Sequence, residues 1–186
     1  MPFWTSPLSE PKRQHRFILR IPSLIDLSTD HSYQEYLART ITKPSYTITE
    51  TPHKFLGNTY YYPGTVSWET CTATIVNSLT PDGNKVLYDA LSKSGYLFPD
   101  EQLQRLVQGD PGTVNKSSAL GTLGQVEIDE LTGKGEVAGR WKLQNAFITS
   151  AKFGDLSYDG DDLLNIDLIF RYDWATYETF TIVAEE

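Results

Sequence analysis

At 186 residues the chain is sized for one domain, long enough to bury about 70% of the surface its unfolded form exposes. The single Cys71 excludes an intramolecular disulfide, and one thiol with three scattered histidines argues against a structural zinc site. Net charge is −8 and unevenly placed: residues 1–119 hold 11 basic and 11 acidic side chains, whereas 120–186 hold 5 and 13. Such an acidic balance disfavours tight binding to nucleic acid or anionic membranes, which depends on Lys and Arg neutralising phosphate.

The N-terminal "MPFWTSPLSEPKRQ" lacks the apolar run of a signal peptide, and nowhere do about 18 apolar residues follow one another, so a soluble product made in the cytoplasm is expected, without membrane insertion. Pro2, Pro7 and Pro11 mark residues 1–14 as an extended arm, with a strand beginning near His15 at "HRFILRI". "PSLIDLSTDHSYQEY" is a connection. "ARTITKPSYTITET" and "HKFLGNTYYYPG", divided at Thr51-Pro52, are rich in Thr, Tyr and Ile and form two long arms of one excursion, placed at 40–66. "TVSWETCTATIVNSL" follows as a strand with Cys71, Ala73 and Ile75 on one side and Thr70, Thr72 and Thr74 on the other.

A helix is predicted next. Thr80 caps it, Pro81 takes its first position, Val86, Leu87, Ala90 and Leu91 supply the apolar stripe, and Gly95 closes it. Residues 96–123 are a Gly-, Pro- and Ser-rich surface excursion with a short helix at "DEQLQRLVQ". Strands then finish the chain: "GQVEIDEL", "GEVAGRWKLQNAFITSAKFG" broken near its middle, and "LLNIDLIFRYDWATYE". "TGKG" and "YDGDD" are the turns. In the last strand Leu164, Ile166, Leu168, Phe170, Tyr172 and Trp174 share one face, and Asn165, Asp167, Ile169, Arg171 and Asp173 the other.

Catalytic chemistry finds no foothold. His15, His31 and His53 lack an accompanying nucleophile and carboxylate, and no G-x-S-x-G elbow exists. Gly133-Lys134-Gly135 lacks the spacing of a phosphate loop and reads as a turn. "DGDD" offers hard oxygens to calcium but not the 12-residue ligand loop, and reads as a solvated hairpin. Asn115-Lys116-Ser117 is a formal glycosylation sequon in a chain with no secretory signal, and is set aside. Cys71, on an apolar face, reads as a small core residue. No catalytic residue, metal ligand or cofactor is expected.

Three segments together resemble the tail tube proteins of contractile-tailed (myovirus) bacteriophages. "WETCTATIVNSLTPDGNKVLYDAL", 68–91, resembles the family's Thr-rich strand leading into a short amphipathic helix. "GRWKLQNAFITSAKFGDLSYDGDDLLNIDLIFRYDWATYE", 139–178, resembles its closing strands. "TITKPSYTITETPHKFLGNTYYYPGTV", 40–66, has the length and place of its projecting arm. The resemblance covers roughly two thirds of the chain.

It implies a mainly β fold, a β-sandwich or rolled barrel with one flanking α-helix, in a single tail-tube domain over 1–186. It also implies hexameric rings that stack into a conduit for genome ejection. The implied partners are further copies of the chain, the sheath, the baseplate tube initiator and the tail terminator, with DNA passing through without tight binding. The particle would be a virion tail assembled in the host cytoplasm. The proline-rich start, the connection at 25–37 and the 96–123 excursion differ from the family pattern, which leaves open a baseplate tube initiator or a type VI secretion-like tube protein.

On this reading Tyr46, Ile48, His53, Phe55, Tyr60, Tyr61 and Tyr62 form an inter-subunit or inter-ring interface. Glu127, Asp129, Asp167 and Asp173 are candidates to face the lumen, where an acidic wall repels phosphate over a Debye length of about 8 Å. The alternative of another class is a monomeric lipocalin-like or lectin-like β-barrel that uses the tyrosines and "DGDD" for a small ligand.

Overall fold

A computed structural model describes residues 11–22, 38–80, 82–99 and 113–180. Among these residues are ten strands and two helices: β1 (Phe17–Arg20), β2 (Ala38–Ile41), β3 (Tyr46–Phe55), β4 (Asn58–Trp68), β5 (Cys71–Val76), α1 (Gly83–Lys93), α2 (Lys116–Leu123), β6 (Val126–Leu131), β7 (Val137–Gln144), β8 (Phe147–Lys152), β9 (Asn165–Arg171) and β10 (Trp174–Thr179). Pairing between these strands is antiparallel throughout. One sheet runs β1-β6-β7-β10, a second runs β2-β5-β9-β8, and β3-β4 stand apart as a hairpin.

Period-two alternation decides which faces meet. In the second sheet Cys71, Ala73 and Ile75 lie opposite Phe170, Leu168 and Ile166. All six belong to the core, five of them 0–1% exposed and Ile75 packed against it. Leu19, Val126, Ile128 and Leu143 close it from the first sheet. The thiol of Cys71 is sealed in this core, and burial pushes its pKa up, which keeps it protonated and inert.

Two strands change sheets at tight corners. The chain passes from β7 to β8 through Asn145, which takes a left-handed φ of 55°, a conformation Asn tolerates better than most residues. It passes from β9 to β10 through Tyr172 and Asp173, where the Asp173 amide donates to the Gln144 carbonyl at 3.0 Å. The expected single strand over 163–178 is therefore two strands in different sheets. Burial stops at the corner: Tyr172 is buried, whereas Trp174 is 48% exposed.

The helices also differ from expectation. α1 is capped by Asp82, whose carboxylate accepts from the Asn84 amide at 3.0 Å, and not by Thr80; Pro81 lies outside the described residues. Leu87 and Ala90 are its buried residues, Leu91 stays 44% exposed, and Gly95 ends the helix at φ 103° as predicted. A second helix, α2, lies within the span read as a surface excursion. Its cap is Asn115, accepting from the Ser118 amide at 2.8 Å. β1 starts at Phe17, two residues after the expected His15. The helix at "DEQLQRLVQ", the 25–37 connection and most of the 1–14 arm fall outside the described residues.

Candidate functional site

The hairpin of β3 and β4 belongs to neither of the two larger sheets. Every residue of β3, and all of β4 but Trp68, is exposed. It spans Tyr46–Trp68, not 40–66, because Thr40 and Ile41 belong to β2 and pair with β5. Its turn lies at Leu56-Gly57, not at Thr51-Pro52, since Pro52 continues the strand opposite Tyr61. Leu56 and Gly57 both have positive φ, 46° and 81°, as a two-residue primed turn requires, and the twist of such a turn matches that of the strands. Midway, β4 carries one extra residue at Gly64-Thr65 against Thr49. A Cβ on Gly64 would stand 2.4 Å from Thr49 Oγ1, so glycine is needed there.

Register sorts the predicted interface residues onto two faces. Tyr46, Ile48, Val66 and Trp68 share a face at the base, continued distally by Pro52, Tyr61 and Pro63. The opposite face carries Thr47, Thr49, Thr65 and Ser67 at the base, then Tyr62, His53, Tyr60 and Phe55. His53 meets Tyr62 edge-on at 6.5 Å between centroids. All seven predicted residues are thus on the arm and exposed: Tyr46 58%, Phe55 58%, Tyr61 62% and Tyr62 58% are representative. Leu56 at 84% and Val66 at 55% extend the apolar surface beyond the predicted set. The alternation around Leu56-Gly57 carries the signal for both.

The arm is rooted firmly. Tyr46 sits edge-on to Trp68 at 5.4 Å, and Trp68 packs on Tyr172 at 6.0 Å, which joins the arm to the core. Beside this root, the buried Glu130 accepts from Lys12 and pairs with Lys43, and the Tyr177 hydroxyl donates to the same carboxylate at 3.2 Å. Burial alone would raise the Glu130 pKa, but the two ammonium groups outweigh it and hold the carboxyl below its ordinary range.

The four acidic candidates do not share a sheet. Glu127 and Asp129 lie on the outer face of the first sheet, and Asp167 on that of the second. Asp173 lies in the corner between β9 and β10. Asp129 is wholly enclosed in the subunit, gripped by Arg140 through Nε at 2.6 Å and Nη2 at 2.9 Å and approached by Arg20 at 3.4 Å. Arg140 also reaches Glu127 at 3.3 Å, and Lys142 pairs with Glu178 at 2.7 Å. Three acids and three bases therefore balance on that face. Asp173 is held by Lys116 at 2.6 Å and by Asn145 at 2.7 Å, and this lowers its pKa. Of the four, only Asp167 is both exposed and without an ion pair among the described residues, accepting from Thr74 at 2.6 Å.

Among the described residues no group of His, Cys, Asp and Glu is arranged to hold a metal, and no helix is long and apolar enough to cross a membrane. The sequence matches no protein-family model and no curated protein. The fold does have counterparts among solved structures. A chain in the cryo-EM structure of an extracellular contractile injection system, the PVC sheath/tube terminator in its extended state, aligns with a TM-score of 0.63 at 14% identity, over 91% of this chain and 98% of that one. A chain of the PVC sheath-tube complex aligns at 0.61 and 16% identity, over 94% and 95%. One from the 6-fold symmetrised anti-feeding prophage baseplate aligns at 0.56 and 14%, over 91% and 97%.

The fold is that of chains in contractile injection systems. Near-complete coverage in both directions means that the likeness extends over the whole architecture and not one sheet of it, in agreement with the expected tube-type fold. Where one flanking helix is expected, two are present among the described residues.

Proposed function

We propose that the chain is a structural, non-enzymatic subunit of the tube of a contractile particle, joining copies of itself into stacked rings of six. The observation that carries this is the hairpin of 46–68, an arm with aromatic and aliphatic side chains exposed on both faces of a contractile-system fold. A two-stranded ribbon alone in water is marginal, and an exposed apolar surface of this kind marks a contact with a partner. Neighbouring subunits covering the arm also resolve the open edges of both sheets.

The finer reading is a phage tail tube that conducts a genome, with sheath, terminator and baseplate initiator as its further partners and the assembled tail as its location. The likeness to chains of the PVC sheath-tube complex supports equally a tube of an extracellular contractile injection system, and the likeness to a chain of the anti-feeding prophage baseplate supports a tube initiator. In the lumen Asp167 is the acidic candidate free of an ion pair among the described residues. Glu127, Asp129 and Asp173 are committed to bases within the subunit.

The test is direct. Purified chain at rising concentration should form six-fold rings or tubes by light scattering and negative-stain microscopy. A strictly monomeric profile at every concentration, with no ring on the grid, would overturn the reading in favour of a monomeric ligand-binding barrel.

A further inference from the structure

The acidic excess of this chain is not spread evenly over its surface. The loop between β8 and β9, residues 153–164, carries Asp155, Asp159, Asp161 and Asp162 without one basic residue. Its residues 153–163 are all exposed, and Leu156, Tyr158 and Leu163 stand out among them at 88%, 109% and 67%. None of the four carboxylates has an ion pair among the described residues, whereas those on the first sheet's outer face do.

The opposite sign gathers at one place. Where the edge strands β1 and β2 of the two sheets come together, a groove of about 530 Å³ is lined by Lys12, Arg13, Arg16, Arg39 and Lys43, against a single carboxylate, Glu130. Arg13 and Arg16 already hold interactions of their own, and Lys12 and Lys43 share Glu130. Two ammonium groups on one carboxylate leave a positive remainder, and Arg39, exposed on β2, adds a full charge with no ion pair among the described residues. A basic groove and an unpaired acidic loop therefore coexist on one acidic chain. They stand at opposite ends of the second sheet, since β2 is one of its edges and β8, from which the loop departs, is the other.

A surface with complementary patches on opposite sides is the arrangement of a head-to-tail ring, in which each copy offers its own tail to the next copy's head. Resting on the tube reading above, we propose that the groove between β1 and β2 receives the 153–164 loop of an adjacent copy of this chain. Arg39 and the Lys12–Lys43 pair meet Asp159, Asp161 and Asp162, and Leu156 and Tyr158 are covered in the same contact. The arm supports this placement. Its root at Thr42–Ser45 includes Lys43, so an arm laid on a neighbour brings that neighbour against the groove. Charge of opposite sign at such a contact raises the association rate and fixes register.

Charge exchange tests it. Arg39→Glu and the double change Asp159→Lys/Asp161→Lys alter only exposed side chains, so each variant should keep the wild-type circular dichroism and melting point. Each alone should raise the concentration needed for rings by about tenfold or more, with Arg39→Gln in between. An equimolar mixture of the two should recover ring formation, because alternating copies restore both contacts in a ring with an even number of members. Native mass spectrometry would read equal numbers of each. Wild-type rings matched by both variants at unchanged concentration would overturn the contact and leave the tube reading standing. The contact is equally overturned if Arg39→Glu leaves rings intact and only lowers retention on immobilised duplex DNA, which would assign the groove to phosphate. A wild-type chain that never assembles overturns both.

Discussion

Arg140 and Asp129, opposite each other on β7 and β6, form a two-pronged ion pair with Asp129 fully enclosed and the Arg140 side chain 19% exposed. The pair fastens the two central strands of the first sheet on the face away from the core. Its carboxylate is therefore part of the subunit's own structure and is not displayed to any cargo. Removing Arg140 leaves the enclosed carboxylate with only the more distant Arg20 at 3.4 Å, so Arg140→Ala should cost about 3 kcal/mol of subunit stability, read from urea unfolding of the monomer. The double variant Arg140→Met/Asp129→Leu should recover most of that loss, since an apolar pair of similar volume escapes the cost of burying charge.

The arm should separate folding from assembly. Phe55 and Tyr61 lie on opposite faces of the hairpin, at 58% and 62% exposure, and neither belongs to the core. Phe55→Ala/Tyr61→Ala should leave monomer stability within about 0.5 kcal/mol per site, as for exposed positions generally, while abolishing rings. Loss of the folded spectrum in circular dichroism would place these side chains in the core instead.

How far the sequence alone reaches can be seen at particular residues. Cys71, Ala73 and Ile75 are legible because a half-buried strand writes burial at period two. The corner at Tyr172-Asp173 is not, because the apolar alternation continues through Trp174 while the chain changes sheets. α2 escapes notice because "KSSALGTL" has almost no amphipathic signal; its cap, Asn115, is visible but carries a glycosylation sequon that draws the eye first. The pairing of Asp129 with Arg140 depends on a register shift between Glu130 and Leu131, which a turn position alone does not reveal. The arm's aromatic residues are legible because an exposed apolar ribbon is anomalous whatever its bounds. The Lys12–Glu130–Lys43 cluster, drawn from three distant segments, leaves no local trace.

Leu56 presents a conflict between local preference and its setting. A γ-branched side chain at φ 46° is disfavoured by about 1 kcal/mol, and Asn is the residue that this turn position prefers. Leu56→Asn should therefore raise the melting point of the isolated subunit slightly. At 84% exposure the leucine gives the isolated subunit little in return, and on the proposed tube reading its value lies in a contact made on assembly. The same variant should then form rings only at higher concentration, checked by pairing a thermal melt with sedimentation. A substitution that improves both would show the tip to be free in the ring.

Acid should loosen the root of the arm before the rest of the fold. Glu130 has its pKa lowered from 4.5: burial pulls upward, but hydrogen bonds and charge from Lys12 and Lys43 prevail. The unfolded chain thus takes up this proton at a higher pH than the folded one. The contribution is complete above about pH 4.5 and is lost as pH falls through the lower folded value. On the basic side, the Lys12 pKa is raised from 10.5, chiefly by its bond to Glu130, so its share is complete below 10.5 and is lost as pH climbs past the folded value. Glu130→Gln should flatten both limbs of the stability profile and leave the two lysines without a counter-charge beside the hairpin. Protection from hydrogen exchange at the Thr42–Ser45 root should then fall at neutral pH to the level the wild type shows only once acid has protonated Glu130. An unchanged exchange rate in the variant would mean that the Tyr46–Trp68–Tyr172 stack alone anchors the arm.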